Sequence, residues 1–245
     1  MQLSLALNDR QVLWQIRGRL LARFGPQRDA MRRDPVSQLV NAIISAKTRD
    51  EVSSAAFERL RRRYPSWDAL RLAAPGEVEA IIAPVHHADS KAVYLPQALR
   101  KIVASTGSLE LDFLIDWDEE MAMQWLRGLA GVKSKVAATV LNFSTLRMRV
   151  LPVDTHLLRV GERLGLLPPG ADYKSGYELW MRLVPDQWDA DDLYELHWLL
   201  KYLGQTFCPY GVPACTHCPL GDLCPGNVAR RGGTVALGKT VATRR

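Results

Sequence analysis

No apolar run in this sequence is long enough to cross a bilayer. The first 20 residues carry Asp9, Arg10, Arg17 and Arg19 in place of an apolar signal core, so no secretory leader is expected. That predicts a cytoplasmic chain, nucleoid-associated in a bacterium. Cysteine is missing until Cys208; the only four, Cys208, Cys215, Cys218 and Cys224, fall within 17 positions. Such crowding in an intracellular chain favours a metal site over disulfides. No internal repeat or low-complexity block appears, and no stretch demands a strand, so the expected fold is all-α. What is present is 245 residues with 47% apolar content, enough for one large or two small cores. The net charge of +6 fits a nucleic-acid partner without establishing one.

The chain is organised around Trp125 to Asp154. This stretch reads as two short helices joined by the turn Leu129-Ala130-Gly131-Val132-Lys133, followed by a segment that delivers an aspartate. Asp118 is placed to cap the first helix, with Glu119 and Glu120 favoured in its first turn. Gly128 and Gly131 give the turn backbone freedom, and Ser134 reads as the N-cap of the second helix. Val136, Ala137, Val140 and Leu141 keep helical spacing, which puts Lys135 in the first turn. There the positive end of the helix dipole and burial in a cleft both disfavour the ammonium form. A lysine held neutral is a candidate nucleophile.

Leu129 to Ala137 resembles the helix-hairpin-helix of the endonuclease III family of DNA glycosylases, normally L-P-G-V-G-x-K-T-A. Val153-Asp154-Thr155-His156 with Arg159-Val160 is similar to the family's V-D-T-H-x-x-R-V. The cysteines form C-x6-C-x2-C-x5-C, which resembles the family's iron–sulfur loop. Thiolate ligands alone suit either a [4Fe–4S] cluster or tetrahedral zinc; the resemblance selects the cluster, with a structural job. It further implies two domains with a DNA-binding cleft between them. A helical domain carrying the hairpin would span 28–149. An iron–sulfur domain would combine 1–27 with 150–225, leaving 226–245 as a basic, disordered tail.

The resemblance also assigns residues. Lys135 and Asp154 would be catalytic, the amine attacking C1′ of the deoxyribose and the carboxylate stabilising its electron deficiency. Gly131, Lys133 and Ser134 belong to the hairpin that would hold a DNA phosphate. Lys47, in Ser45-Ala46-Lys47-Thr48-Arg49-Asp50, stands where the family's L-S-A-Q-T-T-D has a glutamine that fills the gap left by a flipped nucleotide. His87, within His86-His87-Ala88-Asp89-Ser90-Lys91-Ala92, replaces a leucine that wedges into the duplex. Lys133 replaces the hairpin's second glycine, and strain is expected there if its φ is positive. These three departures predict an altered substrate range or weak turnover.

The expected activity is base excision repair by a bifunctional glycosylase and AP lyase. It would act, as a monomer, on oxidised pyrimidines and abasic sites in double-stranded DNA. The alternatives are a mismatch or adenine glycosylase, which lacks the lysine, a non-catalytic damage-binding protein, and a zinc-stabilised regulator. Elsewhere, Val12, Ile16, Leu20 and Leu21 mark an amphipathic helix within 1–27, Asp34-Pro35 opens another, and Pro96 should kink or restart a third. Arg59, Arg61, Arg62 and Arg63 read as a solvated face, and the acidic stretch from Glu110 to Glu120 as solvent-facing surface.

Overall fold

The computed structural model describes residues 2–28 and 31–227, with side chains from residue 11 onward; the tail beyond 227 lies outside the described residues. Among the described residues there are eleven α-helices: α1 (Gln2–Phe24), α2 (Pro35–Ser45), α3 (Asp50–Arg63), α4 (Trp67–Leu72), α5 (Pro75–Ile82), α6 (Ala88–Thr106), α7 (Glu119–Arg127), α8 (Ser134–Phe143), α9 (Thr155–Arg163), α10 (Tyr173–Leu183) and α11 (Ala190–Thr206). Among the described residues there is no strand, only an isolated bridge between Arg33 and Ser144. No described helix is long and apolar enough to cross a membrane.

Local chemistry sets the helix starts. Asp34 accepts from Ser37 N at 2.8 Å with Pro35 in the first turn, and Asp118 accepts from Met121 N at 2.8 Å. Asp172 and Asp189 cap α10 and α11 in the same way, the latter in a reciprocal capping box with Asp192. Two expectations need correction. Pro96 does not restart a helix: α6 runs through it, and the ring is buried, so packing outweighs the lost backbone bond. Ser134 is not the cap of α8 but its first residue; the cap position belongs to Lys133, which supplies no side-chain bond.

Apolar burial falls into two clusters. One gathers residues from α2 to α8, including Leu39, Ile43, Leu60, Leu95, Leu126 and Val140. The other joins Leu13, Ile16 and Leu20 of α1 to Leu151, Val160, Trp180, Leu196, Leu200 and Leu220. The first helix is thereby packed against the last third of the chain. Arg17 reinforces that contact by bonding Asp192 at 2.7 Å and the buried Glu195 at 2.5 Å while lying over Trp188.

Polar ties cross between the clusters. Asn142 on α8 donates to Ala190 O at 2.9 Å, and Arg149 donates to Trp188 O at 2.7 Å and Pro185 O at 3.0 Å. Arg32 reaches Asn142 O on one side and Asp191 on the other. The arginines of α3 are less idle than a solvated face: Arg59 donates to Ile81 O at 2.8 Å, Arg61 covers Trp67, and Arg63 covers Tyr64. From Glu110 to Glu120 every acidic side chain is exposed.

Candidate functional site

The hairpin lies between α7 and α8. Val132 N closes the turn on Leu129 O at 3.2 Å, and Lys101 holds Gly128 O at 2.7 Å. Gly131 takes φ +75, and a Cβ there would meet Tyr94 Cδ2 at 2.8 Å and Tyr94 Cβ at 2.9 Å. Both its conformation and its space therefore require glycine. Gly128, at φ −70, needs no such freedom. Lys133 sits at φ −107, ψ 175, extended backbone open to any residue, so the strain expected of it does not arise. With no side-chain cap on α8, the amides of its first turn, starting at Ser134, point out of the helix as donors.

Lys135 follows at the start of α8, half-buried, with its carbonyl accepting from Thr139 Oγ1 at 2.7 Å. Burial lowers its proton affinity; Asp154 and Asp50 pull upward and Lys201 downward, and the net direction is down. Asp154 is the N-cap of α9, its Oδ1 accepting from His156 N at 2.8 Å and Leu157 N at 3.0 Å. Burial alone would raise its carboxyl, but His197, the Leu157 amide and Lys135 outweigh that and hold it low. Each of the two groups thus lies within the other's electrostatic reach, one supplied from each apolar cluster.

Beneath them is His197 on α11, 3% exposed, its Nδ1 2.7 Å from Pro152 O. A carbonyl only accepts, so Nδ1 carries the proton. Burial pushes this imidazole down to about 4, and Lys135 and Lys201 push the same way against Asp154. At neutral pH the pair is therefore a neutral imidazole beside an ionised carboxylate. His156 is turned aside: its Nδ1 accepts from Arg159 Nη2 at 3.0 Å.

Lys47 and His87 are both exposed and both left-handed, at φ 57 and φ 58. His87 ends the loop before α6, its ring 3.9 Å from that of His86. The two loops are tied together by Lys91, which is 6% exposed. Its ammonium donates to Ile44 O at 2.8 Å, Ala46 O at 2.6 Å and Thr48 Oγ1 at 3.2 Å. Burial, then the charge of Lys135, lower this lysine to about 8.

The cysteine loop is pinned to α9. Arg159 Nε donates to Cys208 O at 2.8 Å, Arg163 Nη1 to Cys208 Sγ at 3.1 Å, and Cys224 Sγ to Arg163 O at 3.1 Å. All four thiols are half-buried. Burial raises Cys218 and Cys224, and each is raised further by the charge of the other cysteines, so the four share one neighbourhood. A cation among them would relieve that repulsion, and the donor set fits a thiolate-ligated metal group. Among the described residues, however, no three His, Cys, Asp or Glu side chains are gathered into a ligand set.

Sequence reasoning missed His197, Lys201 and Asp50, and it gave Lys91 no role. Lys91 and Asp50 stood inside quoted motifs without a role of their own; His197 and Lys201 are single polar residues whose proximity depends on the packing of distant helices.

Comparison with known proteins gives this geometry its context. The model of the HhH-GPD superfamily base excision DNA repair protein matches residues 40–186. An endonuclease III of Synechocystis sp. is 31% identical over 192 residues, covering 78% of this chain and 81% of that protein. The endonuclease III-like protein 1 of Gallus gallus is 29% identical, covering 76% of this chain and 62% of that protein. Among solved structures, a trapped endonuclease III–DNA covalent intermediate aligns with TM-score 0.75 at 21% identity, covering 91% of this chain and 98% of that one. A thermostable thymine-DNA glycosylase aligns with TM-score 0.71 at 18% identity, covering 90% of this chain and 97% of that one.

Proposed function

The chain belongs to the HhH-GPD superfamily and is a base excision DNA repair glycosylase of endonuclease III type; from that premise we propose that it is bifunctional, removing oxidised pyrimidines and cleaving abasic sites in double-stranded DNA. The single observation that carries this reading is the pairing of Lys135, whose amine is biased toward neutrality, with the ionised Asp154.

The proposed order of events follows from those two groups. The uncapped amides at the start of α8 hold a phosphate, and Lys133 adds charge beside them. The exposed Lys47 and His87 enter the space opened when the nucleotide turns out of the duplex. Asp154 uses Oδ1 for its helix cap, leaving Oδ2 to face the sugar. As the base departs, C1′ becomes electron-poor and this carboxylate stabilises it. The Lys135 nitrogen forms a bond to C1′, the bond to the base breaks, and the base leaves with the electron pair. The departed base, which carries the electron pair, takes the proton that the attached nitrogen gives up; ring opening then gives an imine, and transfer of a C2′ proton to water expels the 3′ phosphate. His197 orients the arrangement from below by bonding the Pro152 carbonyl just before Val153-Asp154.

The two apolar clusters support a division into a hairpin domain of 28–149 and a second domain of 1–27 with 150–225, the cleft running between them. Cys208, Cys215, Cys218 and Cys224 would ligate a [4Fe–4S] cluster that stiffens the loop pinned by Arg159 and Arg163. Iron and sulfide analysis with visible absorption tests that assignment; zinc alone would refute it. The function is tested by borohydride trapping on an abasic-site duplex. A covalent adduct that disappears in Lys135→Ala is expected. Tight binding with no adduct would instead leave a damage-binding protein.

A further inference from the structure

At the junction of the two clusters stands an ion pair that the proposed chemistry does not use. Lys201 Nζ bonds both carboxylate oxygens of Asp50, at 2.9 and 2.8 Å, and lies 4.4 Å from the centre of the Trp198 ring. Asp50 opens α3, on the cluster that contains the hairpin, and follows directly on the Lys47 loop. Lys201 belongs to α11, one helical turn beyond His197, on the other cluster. An exposed ion pair contributes little to stability and wanders. This one is different on the lysine side, whose side chain keeps only 12% of its exposure.

The anchorage continues into α8. Trp198 stacks on Phe143 at 6.0 Å with 24° between the rings, and Phe143 also packs edge-on against His197 at 5.1 Å. The ammonium is therefore fixed relative to the helix that carries Lys135. Its partner does not cancel it there. Both ends of the pair reach Lys135 and His156: Lys201 lowers their proton affinity and Asp50 raises it, Lys201 the more strongly.

We propose that Lys201 is a positioning residue for Lys135, a fixed cation that Asp50 and Trp198 hold toward the attacking amine. This rests on the reading of Lys135 as the nucleophile. Four charged groups face that amine from different elements: Asp154 at the cap of α9, Asp50 on α3, Lys201 on α11 and Lys91 on α6; His197 on α11 is the remaining titratable neighbour. Two anions oppose two cations around one amine. Removing either member of the Asp50–Lys201 pair tips that balance, and the two removals tip it in opposite senses.

The test is the pH dependence of borohydride-trapped adduct formation by the full chain on an abasic-site duplex, where the rate rises as Lys135 loses its proton. Lys201→Met removes a cation and moves the rising limb to higher pH. Asp50→Asn removes an anion and moves it to lower pH, so the two shifts have opposite signs. Lys201→Arg restores the parent profile. A bridge that only joined the two clusters would make both variants less stable and leave the limb in place, and that result, or a shift of the same sign in both, overturns the proposal. If the parent forms no adduct, the nucleophile reading itself fails. The carbon-13 titration of Lys135 Cε then reads the same two variants directly, and absence of opposite shifts refutes the role of Lys201.

Discussion

Replacing Gly131 by alanine tests the hairpin at the point where conformation and space coincide. At φ +75 an L-residue costs about 1–2 kcal/mol, because its Cβ crowds the following carbonyl. The new methyl would also lie 2.8 Å from Tyr94 Cδ2 and 2.9 Å from Tyr94 Cβ. Rotating the tyrosine ring relieves the first contact but not the second, since Cβ moves only with the backbone of α6. Overpacking of that kind costs about 1–3 kcal/mol, giving a total loss of about 2–5 kcal/mol. Urea unfolding with an unchanged m-value measures it. Tyr94→Ala in the same chain should recover part of the loss and not all of it, because the alanine keeps the offending Cβ. A loss under about 0.5 kcal/mol, or strict additivity of the two substitutions, would refute the argument. Affinity for an abasic-site duplex should fall with stability, since the displaced turn carries the amides proposed to hold a phosphate.

The other outcomes follow from single groups. His197 is held neutral in the folded state down to about 4 but has its ordinary value of 6.5 when unfolded. The unfolded chain therefore binds the extra proton between those values, and stability is whole above about pH 6.5 and falls as pH drops toward 4, by up to about 3 kcal/mol; His197→Gln should flatten that slope in urea unfolding series, and an unchanged slope counts against it. Replacing Cys218 by serine should reduce bound iron and lower the thermal midpoint, both read on purified protein. His87→Gly should relieve the left-handed cost, raising stability by about 1 kcal/mol, while weakening binding to the abasic duplex in fluorescence anisotropy; a destabilised variant would speak against strain at that loop.

Much of the fold was legible because helix punctuation is local. Asp34-Pro35 and Asp118 announce their helices in the sequence, and both cap as their chemistry requires. The hairpin was readable for the same reason, since Gly131 must supply a positive φ within a short turn. The restart expected at Pro96 does not occur, because a proline's effect depends on burial, which the local pattern cannot supply. Ser134 misled by one residue, the usual margin when a cap and a first turn offer similar side chains. Asp154 was legible as a cap carboxylate, but its electrostatic setting was not. That setting is made by His197 on α11 and Lys135 on α8, which meet the carboxylate only when those helices close on α9.

The departures from the family pattern also change weight once the backbone is known. Lys133 looked like the gravest, because a Cβ replaces a glycine next to a phosphate site. At φ −107 it carries no strain, and it brings a positive charge to the amides of α8. The strain sits instead at Lys47 and His87, the two exposed loop tips. Each holds a conformation that L-residues avoid at about 1–2 kcal/mol. Such residues persist only where their surroundings over-determine them, and Lys91 does this by binding three oxygens of the first loop from the helix that follows the second. A buried ammonium spent on three loop oxygens is a costly way to hold a surface turn. On the proposed reading it keeps two tips rigid against a duplex that resists opening, because any flexibility there would be lost on binding and would weaken the complex.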